Sequence, residues 1–325
     1  MRGALKINVS VVNRALKAPF DISGHRFESA SCVVVEAEQN GMSARGEGSP
    51  IFYRNETAQT LAEETRTAAA QIACARDHTD LANLVASHGG RNALDAALIC
   101  LRARLENRTV SSLLGLSKLR PVLSLGTIAL GDPAQMAAAA SVLANEFPVL
   151  KIKLGAEGDE ERIRAVSTAI PKRTRLVIDA NAAWSFAQLE AIMPALKAAR
   201  VEMIEQPLPA GADHALADYR SPSALCADES FQTLADLAHC ARSYQLINVK
   251  LDKCGGLTAA LEIAQEARLR GMRLMVGNML GSSLGMAPAF VFGQMCELCD
   301  LDGPLFLKHD ESPSLSYQAG LINPP

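Results

Sequence analysis

Asp179, Glu205 and Asp228 each close a short apolar run (RLVID, EMIE and ALCAD), at spacings of 26 and 23 residues. Lys153 closes LKIK before them and Lys250 closes INVK after them. Such spacings suit one strand, one helix and two loops, so the five positions read as successive strand ends in a βα array. Carboxylates without histidine or cysteine suit Mg²⁺ or Mn²⁺ rather than zinc. A hard cation between two lysines suits removal of a proton from carbon next to a carboxylate: the ion stabilises the enediolate, one lysine takes the proton, and the other returns one to the opposite face. Inversion at that carbon is the result. A lysine near its ordinary pKa of about 10.4 is mostly protonated at neutral pH, so the base requires neighbouring cations to lower it. The competing reading is an ion-pair network in which the acids only neutralise Lys151, Lys153 and Lys250. Lys151 and Lys153 are two apart on one strand and point to the same side, into the barrel.

The elements that must hold these residues follow from hydrophobic patterning. From Pro121 onward the runs VLSLGTIAL, PVLKIKL, RLVID, EMIE, ALCAD, LINVKL, RLMVG and ELCDLD recur, with alanine-rich helical stretches such as FAQLEAIMPALKAAR and LTAALEIAQEARLR between most of them. Eight runs predict an α/β fold, a parallel (β/α)8 TIM barrel, with a doubly wound open sheet as the alternative. No GxGxxG or GxxxxGK[ST] follows any run, which weakens the nucleotide-binding form of that alternative. In the barrel, Lys153 ends strand two and Lys250 strand six. Four places apart in a ring of eight, they face each other across the mouth, with the carboxylates on the arc between. Before the barrel, residues 4–12 and 31–38 are strand-like, Asn40-Gly41 signals a hairpin, residues 57–76 are helical, and RNALDAALICLRARLEN carries a helical stripe. These predict a separate α+β module over residues 1–120, completed by 304–325 folding back on it, with the barrel at 121–303.

Composition narrows the function class. The 325 residues are 49% hydrophobic and 21% charged with a net charge of −3 and no basic run, so nucleic acid has no electrostatic footing. Residues 274–296 carry no charge, but their glycines, serines, Asn278 and Pro288 fit a buried strand, a polar loop and a packed helix better than a membrane span. MRGALKINVS lacks the long apolar core of a signal peptide, and eight cysteines mostly within apolar segments read as reduced thiols of a cytoplasmic protein. Cys296 and Cys299 form one CxxC without a second pair, a weak sign of zinc or redox use. The expected partner is a small molecule, with a homo-oligomer left open.

Taken together, KIKLG (151–155), DANAAW (179–184), EQPLP (205–209), ADES (227–230) and NVKLDKCGG (248–256) resemble the enolase superfamily, in its muconate-lactonizing-enzyme-like subgroup. DLDGP (300–304) most resembles the dipeptide epimerases, L-Ala-D/L-Glu epimerases in particular. The resemblance spans nearly the whole chain. It implies a modified barrel of (β/α)7β type under an N-terminal capping domain, and a Mg²⁺-dependent epimerase inverting the C-terminal residue of a dipeptide in cell-wall peptide metabolism. By resemblance, Lys153 and Lys250 are the acid/base pair and Asp179, Glu205 and Asp228 the Mg²⁺ ligands. Asp300 and Asp302 would hold the dipeptide ammonium, Lys151 the substrate carboxylate, and Thr127 and Asn278 would contact substrate. The capping loop PFDISGHRFESA (19–30) would offer Arg26 to a glutamate side chain. Related readings are o-succinylbenzoate synthase, muconate cycloisomerase, N-acyl amino acid racemase, and a barrel retained only for binding.

Overall fold

The computed structural model describes residues 3–73, 81–116, 118–155 and 157–324. An antiparallel sheet opens the chain: β1 (Lys6–Ile22), β2 (His25–Gln39) and β3 (Met42–Gly48), in that order. The β2–β3 turn is Asn40-Gly41, both at positive φ (53° and 74°), as a two-residue hairpin requires. Helices Ala58–Ala69 and His88–Leu105 pack on this sheet around Val33, Val35, Leu61, Leu94 and Leu98. The first stops short of the expected residue 76, and residues 74–76 lie outside the described residues. Contact between β3 and His88–Leu105 is close enough that a Cβ at Gly48 would meet the Gly89 carbonyl at 1.9 Å, so only glycine fits there.

After the short β4 (Val122–Leu123) come eight parallel strands, β5 (Gly126–Ile128), β6 (Val149–Lys153), β7 (Arg175–Asp179), β8 (Val201–Glu205), β9 (Ala224–Ala227), β10 (Leu246–Lys250), β11 (Arg273–Gly277) and β12 (Leu298–Cys299). They are hydrogen-bonded in sequence order. A bridge from Ser124 to Cys299, with the Leu125 N–H donating to the Cys299 carbonyl at 2.7 Å, joins the last strand to the first. The ring is a modified TIM barrel. Helices link most strands, but only a 3-10 turn (Asp213–Leu216) joins β8 to β9, and a 3-10 turn (Gly303–Phe306) follows β12. No described helix is long and apolar enough to cross a membrane.

Period-two alternation then sorts the strand residues. Leu125, Val149, Val177, Met203, Cys226, Leu246, Met275 and Leu298, one from each barrel strand or its edge, fill the barrel interior. Leu150, Ile152, Leu176, Ile178 and Ile204 pack outward against the helices. Two or four residues on from the interior layer stand Lys151, Lys153, Asp179, Glu205, Asp228, Asn248, Lys250 and Asp300. An apolar plug therefore supports a polar rim at the C-terminal strand ends, where such barrels carry their chemistry.

The C-terminal stretch divides itself. Leu307 bridges Leu16, and Glu311 pairs with Arg14 and Arg45 of the first module. The hairpin β13 (Ser316–Gln318) and β14 (Leu321–Asn323) pairs instead with β4, below the barrel's N-terminal mouth. Part of 304–325 thus belongs to the barrel, because β4 lies just upstream of its first strand.

Candidate active site

Parity and strand ends bring the predicted acids together. Ligand oxygens of Asp179, Glu205 and Asp228 lie within 4.8 Å of one another, and all three residues are buried. Asp179 pairs with Glu205 across β7 and β8 and with Lys153 across β6 and β7, so register alone sets three of the groups side by side. Asp228 stands one residue beyond β9, with its N–H held by the Gln206 side chain at 2.8 Å.

The amines interleave with the acids. Lys153 Nζ meets Asp179 at 2.6 Å, and Lys250 Nζ meets Asp228 at 2.6 Å. Lys151, only 1% exposed, lies 2.9 Å from Asp179 and 2.8 Å from both Glu205 and Asp300. Its ammonium is thereby taken up by three carboxylates. Breaking a buried ion cluster by removing one partner costs about 3–5 kcal/mol. Lys151→Met is accordingly expected to destabilise the protein by about that amount in urea titration; an unchanged midpoint would show that the carboxylates need no resident counter-ion.

The pKa values follow from this packing. Burial pushes Asp179 and Asp228 upward, but the lysines outweigh it (Lys151 and Lys153 for the first, Lys250 and Lys253 for the second), holding both well below the usual range. Glu205 is pushed up to about 7 by burial and by the charge of Asp179. The expected lowering of the base lysine is not found at Lys250. Burial favours it, but Asp228 and Glu205 face the ammonium and raise its pKa. A divalent cation on those carboxylates would offset their charge. The donor set fits such an ion: Glu205 Oε2 is 2.8 Å from Lys151 yet outside hydrogen-bond geometry, leaving a buried carboxylate oxygen with capacity to spare.

A cleft opens above the acids, lined by Lys153, Lys250, Asp228, Thr127, Asn278, Asp300 and Asp302 among others. Thr127 donates its N–H to Asp302 at 2.7 Å and its hydroxyl to Asp300 at 3.3 Å, and Asn278 donates to the Asp300 carbonyl. Burial and the neighbouring Asp300 push Asp302 up to about 7. A larger apolar groove of about 820 Å³, between His88–Leu105 and the Ser283–Gly293 helix, holds none of the predicted residues.

Arg26 is the correction. It is 56% exposed and pairs with Glu28 at 2.8 Å and Asp21 at 3.4 Å on the outer face of the β1–β2 hairpin. Strand alternation turns Phe27 toward the cleft and Arg26 toward solvent. The CxxC thiols donate to carbonyls of Phe292 and Gly293, and burial raises both pKa values, so neither is a reactive thiolate.

Other residues emerge only in three dimensions. Lys253 is fully buried and donates to the Asp228 carbonyl at 2.6 Å, while Asn248 donates to Glu205 at 2.7 Å. Both stood within NVKLDKCGG, and the parity of Asn248 with Lys250 could have found it. Glu229, next to Asp228, lines the cleft and is pushed up to about 8 by burial and then by Asp228. From the first module, Glu47 accepts from the Ser282 N–H at 2.7 Å and hydroxyl at 2.6 Å and pairs with Arg14 at 2.8 Å. Ser49 donates its N–H to Asp252 at 2.9 Å and its hydroxyl to the Leu280 carbonyl at 3.2 Å. The end of β3 therefore braces both the helical turn after Lys250 and the loop after Asn278.

Comparisons with known proteins agree with this geometry. The model of a family described as enolase C-terminal domain-like matches residues 135–315. L-Ala-D/L-Glu epimerase of Escherichia coli K12 is 36% identical over 309 residues, covering 95% of this chain and 96% of that protein. An Agrobacterium tumefaciens enolase family member with homology to dipeptide epimerases, solved with sodium and L-Ala-L-Glu, superposes with a TM-score of 0.93 at 36% identity, over 100% of this chain and 98% of its own. A dipeptide epimerase from Enterococcus faecalis V583, complexed with Mg and L-Leu-L-Tyr, gives 0.94 at 26% identity, over 99% of this chain and 97% of its own.

Proposed function

Because the chain belongs to the enolase C-terminal domain-like family, we propose that it is an isomerase, a Mg²⁺-dependent dipeptide epimerase that inverts the α-carbon of the C-terminal residue. One observation carries the reading: three buried carboxylates within 4.8 Å of one another, with a lysine bound to the outer acid at each end. Asp179, Glu205 and Asp228 would hold the ion, with Mn²⁺ as a substitute. When bound, the ion supplies positive charge to the substrate carboxylate as its α-proton leaves.

The remaining work falls to the side chains. Lys153 and Lys250, on strands four apart in the ring, approach the α-carbon from opposite faces. One removes the proton, and the other delivers a proton to the far side, which inverts the centre. Lys151 keeps positive charge beside the ligand carboxylates. Asp300 and Asp302, held by Lys151 and Thr127, offer two buried carboxylates to the dipeptide ammonium. That pair favours the epimerase over a cycloisomerase or a lyase, whose substrates carry no ammonium. Thr127 fixes both carboxylates, and Asn278 fixes the Asp300 backbone carbonyl at the same polar end. A cytoplasmic role in cell-wall peptide turnover accords with L-Ala-L-Glu as the reference substrate.

Incubation of L-Ala-L-Glu and a set of other L-Ala-L-X dipeptides with Mg²⁺ in D₂O is expected to exchange the C-terminal α-proton and to build up the second diastereomer, both visible by proton NMR. Absence of α-deuteration in every dipeptide would end the reading.

A further inference from the structure

Resting on the dipeptide reading above, we propose that the cleft receives the side chain of the inverted residue on an aromatic wall, and that apolar C-terminal residues are turned over at least as efficiently as glutamate. The first module contributes Phe20, Ile22, Phe27, Phe52 and Tyr53 to the cleft, and the barrel loops add Met279, Leu280 and Phe306. The rings form two groups. Phe20 packs edge-on against Phe306 at 4.7 Å, close in sequence to Asp302 and so at the ammonium end. Phe27 lies 5.6 Å from Phe52, and Phe52 lies 5.2 Å from Tyr53. Tyr53, Phe52 and Phe27 line the same cleft as Lys153, Asp228 and Lys250, which sets this group on the side of the catalytic amines.

Charge on the cleft wall points the same way. Among the described lining residues the cations are Lys153 and Lys250, each committed to a carboxylate at 2.6 Å. Arg26 faces solvent, Arg54 is engaged with Gln232 and His88, and His25 stacks on Phe52 at 4.4 Å without lining the cleft. A glutamate carboxylate laid on this wall would lose water and meet no cation among the described lining residues that is free of a carboxylate, close to the negative charge of Asp228. A leucine or phenylalanine side chain would bury apolar surface against the rings.

The test compares kcat/KM of the full-length protein with Mg²⁺ for L-Ala-L-Glu, L-Ala-L-Leu and L-Ala-L-Phe. The better apolar dipeptide is expected to equal or exceed L-Ala-L-Glu. If L-Ala-L-Glu exceeds both, this proposal falls while the epimerase reading stands, whereas exchange on none of them removes the epimerase reading itself. Phe27→Arg supplies the missing cation and is expected to shift the Glu-to-Leu ratio toward glutamate by about tenfold or more. A Phe27→Arg protein that still binds Mg²⁺ in calorimetry but shows no shift would overturn the wall's role. So would loss of L-Ala-L-Glu turnover alone in Arg26→Ala.

Discussion

Lys153→Ala is expected to lose epimerisation by about 10²–10⁴-fold, the usual contribution of a positioned proton-transfer group, while keeping Mg²⁺ binding and fold. Lys250→Ala is expected to behave alike. The loss is chemical because each acid keeps a second amine: Asp179 retains Lys151 at 2.9 Å, and Asp228 retains Lys253 on its Oδ1. Each variant also separates exchange from inversion. With one face disarmed, the surviving lysine still washes deuterium into the diastereomer whose α-proton it meets, without returning a proton to the other side. Proton NMR in D₂O should show one-sided exchange, with the active diastereomer opposite in the two variants. Wild-type turnover in either would remove two-sided proton transfer from consideration.

The second large effect concerns the ion. Chelation by EDTA is expected to lower turnover on the order of a hundredfold or more, with recovery on adding Mg²⁺ and with Mn²⁺ as a substitute. Glu205→Gln is expected to reproduce the loss without recovery at ordinary Mg²⁺, because it removes one carboxylate charge of the trio, from a residue with a buried oxygen that has no hydrogen-bond partner. Isothermal calorimetry checks it directly. Mg²⁺ affinity within a fewfold of wild type in Glu205→Gln would deny Glu205 the role of ligand.

Much of this centre could be read from the chain because its geometry is local and repetitive. VLKIK, RLVID, VEMIE and LINVK each alternate interior with exterior, so knowing that a lysine or carboxylate closes one strand nearly fixes where it points. Regular spacing does the rest by setting neighbouring strand ends side by side. Arg26 failed for the opposite reason. Its facing depends on the pairing of β1 with β2, and the irregularity between Ala15 and Phe20 shifts that register without a mark in composition. Lys253 escaped notice because one helical turn, Leu251–Cys254, swings it back onto Asp228, a long-range contact with no periodic signature. The raised pKa of Lys250 was equally illegible, since it depends on which charges finally face the amine.

The grip of Glu47 and Ser49 on Ser282, Leu280 and Asp252 bears on how such proteins can diversify. A module that both papers the substrate chamber with rings and clamps the two connections beside Lys250 and Asn278 cannot be swapped for a cousin's as a detachable hood. A graft of residues 1–120 onto another barrel would have to bring the 278–285 segment along, Gly281 and Gly285 included, since a Cβ at either would press on the Glu47 carboxylate. Selectivity and catalytic competence are therefore inherited together, and laboratory chimaeras should succeed only when the cut respects that seam.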